Sequence, residues 1–416
     1  MNIRDINSFK EKALAWANTF DICCCFDSND YPDQYGNFDL LVAAGANQQL
    51  DRSAGQAFDD LKSFYDQHKN WMFGLMSYDL KNETEQLQSA HSDNLCFPDL
   101  FFFVPTYLLI VKNGKAEMLL GNPEVLSHIS GMQIQYRPSS AVSFHAKIDQ
   151  AAYIKIIENL QQHIRRGDIY EVNFCQEFFS TNAVIDPLFI LERLNQISPT
   201  PFSGFFKIRE RYILSASPER FLCKRGSKLI SQPIKGTAKR GSGTEEDALV
   251  RTRFKEDAKE QAENVMIVDL VRNDLTKSAI KGSVQVEELF GVYAFPQVYQ
   301  MISTVICSIS PAVHLVDAIK NAFPMGSMTG APKKRSMELI EQYEHSKRGA
   351  YSGTMGYIDP KGDFDFNVLI RSIFYREDKQ FLSFQVGGAI TYAANAADEY
   401  EECMLKASAM IKALEN

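Results

Sequence analysis

No apolar run in the 416 residues approaches the length of a membrane-spanning helix. The N-terminus carries Arg4, Asp5, Lys10 and Glu11 and has no apolar core, so no secretory signal peptide is expected. A basic excess is also missing. There are 44 Lys and Arg against 52 Asp and Glu, a formal net charge of -8, and this argues against a nucleic-acid partner. It does not exclude a small acidic substrate, because a local basic pocket can coexist with an acidic exterior. None of the eight cysteines has metal-ligand spacing: Cys23, Cys24 and Cys25 are adjacent in a strand-like run, and the rest are scattered among apolar neighbours. Buried free thiols in a reducing compartment are expected, so the chain reads as cytoplasmic. No strand is followed by Gly-x-Gly-x-x-Gly opening a helix, so a dinucleotide fold is not indicated.

The size exceeds that of a usual single core, so one large α/β body or two intimate lobes is expected. Residues 1–140 alternate short strands (Ile22 to Phe26, Leu40 to Ala44, Trp71 to Tyr78, Phe101 to Val111) with polar turns and one helix at Phe58 to Tyr65. They carry no catalytic constellation and read as a scaffold lobe. From Lys147 the pattern sharpens into a second domain, 147–416. Tyr153, Ile156, Ile157, Leu160 and Ile164 recur at helical spacing, with Gly167 at the C-terminal cap. Strands are expected at Asp168 to Phe179, Phe205 to Ser215, Phe221 to Lys224, Lys228 to Ile234, 298–308, Tyr351 to Ile358, Phe364 to Tyr375 and Phe381 to Val386. A long charged helix from Glu245 and a last helix from Asp398 to Leu414 complete the outline.

Several patterns could carry chemistry. Lys235, between Pro233 and Gly236, sits at a bend where desolvation would lower its pKa and free an amine nucleophile; the plainer reading is a solvated lysine in a turn. Glu260 with Glu263, and Glu399 with Glu402, stand at i, i+3 on two helices. Facing each other they would offer an oxygen-rich site for Mg2+; otherwise they simply face water. The stretch Phe323 to Pro332, with Thr329 in it, runs into a helix near Lys333 and could seat a carboxylate on free N–H groups. The bend Val386 to Thr391, with Gly387, Gly388 and Ala389, could do the same. Arg371 falls inside an apolar strand, where it needs either a substrate carboxylate or a structural aspartate. Glu219, in Ser217-Pro218-Glu219, is a candidate general acid.

Together these motifs resemble the chorismate-utilising enzymes, the family of anthranilate, aminodeoxychorismate, isochorismate and salicylate synthases. The resemblance is dense over residues 150–416. It runs through Gly167-Asp168-Ile169-Tyr170, Ser217-Pro218-Glu219, Pro233-Ile234-Lys235-Gly236-Thr237, Ala262-Glu263-Asn264, Gly330-Ala331-Pro332-Lys333, Tyr351-Ser352-Gly353, Ile370-Arg371-Ser372 and Glu399-Tyr400-Glu401-Glu402. It implies an α/β (α+β) fold with two facing β-sheets, outer helices, and an active site in the cleft between the sheets. Pro-Ile-Lys-Gly-Thr, together with a lysine-free strand after Gly-Asp, resembles the aminodeoxychorismate group, which aminates chorismate at C4; anthranilate synthases typically carry alanine at the lysine position.

The resemblance further implies Mg2+ on Glu260, Glu263, Glu399 and Glu402, and Lys235 attacking C2 while Glu219 protonates the leaving hydroxyl. Arg371 and Tyr351 would hold a carboxylate, and Gly236, Thr237, Thr329 and Gly387 to Ala389 would contribute to substrate binding. Ammonia would come from a separate glutamine amidotransferase subunit, since this chain shows no Gly-x-Cys-x-Gly nucleophile. Two departures stand out: Gln300 and Asn264 occupy positions usually held by histidine. The tryptophan-sensing Leu-Leu-Glu-Ser signature is replaced by Leu40-Leu41-Val42-Ala43.

Overall fold

Two long antiparallel strands, Leu40–Arg52 and Leu100–Lys112, belong to two sheets at once in the computed structural model, which describes residues 1–415. Their ladder shifts register between Ala46 and Gln48, beside Gly45 at φ 70° and opposite Pro105. A bulge of this kind bends and twists both strands, so their two halves leave in different directions.

One half continues through Ile22–Asp27, Phe202–Ile208, Arg211–Ser217, Ser372–Arg376 and Phe381–Ile390 to Glu171–Ser180. The other continues through Met72–Met76, Thr354–Ile358, Phe364–Asn367, Arg220–Arg225 and Lys228–Gln232 to Val298–Ser308. Val298–Ser308 also pairs with Ile234–Lys239 and with Gln285–Ala294. Strands from residues 1–140 therefore pair with strands of 147–416 in both sheets.

The period of two along the strands divides the core. Ile22, Cys24, Phe26, Leu41 and Ala43 point into the apolar layer shared with Phe73, Phe101 to Phe103 and Phe366. Cys23, Cys25, Leu40, Val42 and Ala44 point the other way, onto Phe9 and Trp16 of helix Ile6–Ala17 and onto the helices Gln150–Arg165, Pro187–Ile197 and Ala396–Leu414. The adjacent cysteines thus serve two faces of one strand, and all eight cysteines are free thiols. This is the expected arrangement of facing sheets with outer helices. Among the described residues, no helix is long and apolar enough to cross a membrane.

The departures from the reading of the sequence include four elements. Phe205 to Ser215 is a hairpin, turned at Arg209, whose φ is 53°. The charged helix is two helices, Thr244–Glu256 and Ala258–Thr276, because the Asp257 side chain accepts from Lys259 N and Glu260 N and caps the second. Phe364 to Tyr375 breaks between Asn367 and Ser372, so Arg371 is not within a strand and has φ 49°. The glycines at 387 and 388 form no bend; they lie in Phe381–Ile390, where a Cβ at Gly387 would collide with Phe174 O.

Candidate active site

Lys235 stands where Ile234–Lys239 loses register with Val298–Ser308, between Ile234 and Thr237. Gly236 takes φ 84° there, a conformation that glycine adopts without strain. The bulge turns the lysine inward, and it is 7% exposed. Its Nζ donates to Glu171 Oε1 at 2.6 Å. The expected lowering of its pKa is not met. Burial does push it down, but Glu171, then Glu263 and Glu219, outweigh that and hold the ammonium above its ordinary value. Glu171 is missed by motif reasoning; its one signal is a charge at the head of an almost wholly buried strand, shared with Glu177 further along.

Glu219 is held from behind. The next residue, Arg220, is fully buried and makes a fork on Asp365 at 2.9 and 3.0 Å, with Asp33 and Gln232 Oε1 as further acceptors. Glu219 O also accepts from Val368 N. The carboxyl faces the cavity, where burial pushes it up to about 7 against the lowering effects of Ser327, Lys235, Ile234 N–H and Arg371. A carboxyl in that range is protonated often enough near neutral pH to act as an acid.

The interruption between the strands ending at Asn367 and beginning at Ser372 delivers Ile370 and Arg371 to the same cavity. Burial pulls the Arg371 guanidinium down to about 10, with Glu219 countering, and no ion-pair partner lies within reach among the described residues. The structural aspartate considered as an alternative is absent. The strand Phe381–Ile390 outruns its neighbour Ser372–Arg376 after Phe384, so Gly387, Gly388 and Ala389 have one edge open to the cavity. Tyr351 lines it too, with its hydroxyl 3.3 Å from Cys175 Sγ.

The four glutamates converge on this space from two helices: Glu260 and Glu263 from Ala258–Thr276, Glu399 and Glu402 from Ala396–Leu414. Burial raises Glu263 and Glu399 to about 7, and neighbouring carboxylates add to it. Lys406 lies 2.7 Å from Glu402 and Lys259 3.8 Å from Glu263. Among the described residues no three His, Cys, Asp or Glu side chains are already gathered as a metal site. The donor set nevertheless suits a hard divalent cation: all-oxygen, partly desolvated, and mutually repelling without one. Two glycines make room for it, since a Cβ at Gly236 would collide with Glu260 Oε2 and one at Gly388 would come within 3.1 Å of Glu399 Oε2.

Thr237 lines the cavity at its exposed rim, but Thr329 does not reach it. Thr329 is fully buried, and its hydroxyl donates to Met325 O and Gly326 O. The loop around it is no open seat for an anion. Met328 N and Thr329 N are used within the loop, and Gly330–Ala331 pair with Glu171 and Val172. Two buried cations pin its carbonyls: Arg348 on Met328 O at 2.6 Å and Lys333 on Pro324 O at 2.8 Å. Lys333, visible in the sequence as part of a motif, is structural; its amine is also tied to Asp274. Asn264 accepts from Ser303 Oγ, whereas Gln300 faces the cavity with its amide oxygen unpartnered.

The chain is 34% identical over 348 residues to aminodeoxychorismate synthase component 1 of Escherichia coli, covering 82% of this chain and 76% of that one. It is 32% identical over 358 residues to anthranilate synthase component 1 of Thermus thermophilus, covering 82% and 77%. Among solved structures, anthranilate synthase component I of Streptococcus pneumoniae superposes with a TM-score of 0.81 at 24% identity over 92% of this chain and 93% of that one. The menaquinone-specific isochorismate synthase MenF of Escherichia coli does so with 0.78 at 16% identity over 97% and 91%. The profile of the chorismate binding enzymes matches residues 22–412, and the chain is a member of that family.

Proposed function

We propose that this enzyme aminates chorismate at C4, giving 4-amino-4-deoxychorismate, as the first of its two components. The observation that carries the reading is a buried lysine amine facing an acid raised to about 7 across one cavity. The similarity to aminodeoxychorismate synthase component 1 supports it. Lys235 attacks C2 of the ring, the double bonds shift, and the C4 hydroxyl leaves as water with the proton of Glu219. Ammonia then adds at C4 and the C2–N bond breaks, which returns the amine and reprotonates Glu219. Arg371 pairs with a substrate carboxylate, and the open edge at Gly387 to Ala389 supplies backbone groups.

Mg2+ would be held by Glu260, Glu263, Glu399 and Glu402, where it would neutralise the ring carboxylate and withdraw charge from the ring. Ammonia would come from a separate glutamine amidotransferase subunit, the second component that the relatives' names imply. Residues 1–140 act in this scheme as scaffold for the 147–416 catalytic region.

The test is to incubate the purified chain with chorismate, Mg2+ and ammonium, with and without an added aminodeoxychorismate lyase. Formation of 4-aminobenzoate only when the lyase is present is expected. Anthranilate fluorescence from the chain alone would overturn the reading in favour of C2 amination, the reaction named for its Thermus relative.

A further inference from the structure

We propose that Glu171 is the positioning residue that takes the proton from the Lys235 ammonium and later returns it. The inference rests on the reading of Lys235 as nucleophile. An ammonium has no lone pair, so attack on C2 must be preceded by loss of a proton. Glu171 Oε1 lies 2.6 Å from Nζ and is its one hydrogen-bond acceptor among the described residues. Its other oxygen, Oε2, is buried and has no hydrogen-bond partner among the described residues, so the lysine is the one side chain there that the carboxylate holds.

The backbone that carries Glu171 is fixed. Its residue pairs with Ala331, its carbonyl accepts from Ser336 Oγ at 3.1 Å, and the strand is laddered to Phe381–Ile390 along its length. Other charged groups approach the lysine from the remaining walls: Glu219 from its loop, Glu263 from helix Ala258–Thr276, Glu402 from the last helix. None accepts a hydrogen bond from it. Glu219 is also needed in its protonated form. Arg371 and Lys259, on the same cavity, are cations and cannot take a proton.

The balance is as follows. One proton moves from Nζ to Oε1, leaving a neutral amine beside a neutral carboxyl. The amine lone pair forms the bond to C2 while the C4–O bond breaks and water departs with the proton of Glu219. When the C2–N bond breaks, the amine is neutral again, and Glu171 gives its proton back to restore the resting ion pair. The raised pKa of the lysine describes the ion pair at rest, the state from which this proton transfer starts.

The experiment compares the wild type with Glu171→Gln, Glu171→Asp and Lys235→Ala, reading kcat and KM for chorismate across pH at constant free ammonia. Glu171→Gln should lower the plateau kcat by about tenfold or more, with KM within about threefold of wild type. Its acid limb should move to lower pH, because the carboxylate that keeps the lysine protonated is gone. Glu171→Asp should recover part of the rate, and it reads the same limb should the glutamine variant not fold. A Glu171→Gln enzyme with wild-type kcat and an unmoved limb, or with its loss carried by KM alone, would overturn the inference and leave the nucleophile reading intact. A Lys235→Ala enzyme that turns over at the wild-type rate would overturn the nucleophile reading itself.

Discussion

Single residues here are set by what surrounds them more than by their type. Lys235 is an ammonium at rest because three carboxylates outweigh its burial, and Glu219 is a usable acid because burial outweighs its hydrogen bonds. Two outcomes follow at this scale. Lys235→Ala should lower ammonia-dependent turnover by about a hundredfold or more and abolish any covalent adduct at that position, as read by mass spectrometry of the enzyme quenched during turnover. Glu219→Gln should lower kcat by about a hundredfold. The sign for Glu219 is that of an acid with a raised pKa: the active, protonated form predominates below about 7 and is lost as pH rises through it. The wild-type pH profile should therefore carry a descending limb assignable to Glu219, and the glutamine variant should lack it.

At the scale of elements, the site is made where regular structure stops. The bulge at Gly236, the break ahead of Ser372 and the overhang after Phe384 each free a short stretch of backbone from its ladder. Two helices then bring four carboxylates to those gaps. Burial raises Glu263 and Glu399 to about 7. Carboxyls with raised pKa contribute stability below their unfolded value and lose it as pH rises through the folded one. A divalent cation should offset that loss, so Mg2+ should raise the melting temperature more at about pH 8 than at about pH 6. Scanning calorimetry with and without chelator measures this, and an equal shift at both pH values would contradict it. Gly236→Ala adds a methyl where Glu260 Oε2 lies, at a φ of 84°. It should raise the half-saturating Mg2+ concentration by about tenfold, about 1.4 kcal/mol, within the range for such crowding.

Over the whole molecule, residues distant in sequence meet in charged anchors beneath the cavity. Arg220 joins Asp33 of the N-terminal region to Asp365 near the C-terminus, directly behind Glu219. Removing it leaves the half-buried Asp33 without its arginine while Asp365 keeps Arg225, so Arg220→Met should cost about 3 kcal/mol, the low end for breaking a buried pair, in a denaturant melt. These anchors were not legible in the sequence. Strand and helix types largely were, because the alternation of apolar residues and the helical period are local signals. The breaks were not: the turn at Arg209, the cap at Asp257 and the left-handed backbone at Arg371 are settled by local geometry that apolar periodicity does not carry.

The sequence by itself determined which side chains could do chemistry, since the order of short motifs around Lys235, Glu219, Arg371 and the paired glutamates is local information. Tertiary structure alone decided which of them share a cavity and in what ionic state. It brought thirteen of the fourteen candidates together and left Thr329 in a loop pinned by Arg348 and Lys333. It also set Glu171 against Lys235, 64 positions away in the chain, and so reversed the expected direction of the lysine's pKa. The reason is physical: a pKa follows from burial and the nearest charges, and both depend on contacts that no stretch of sequence contains.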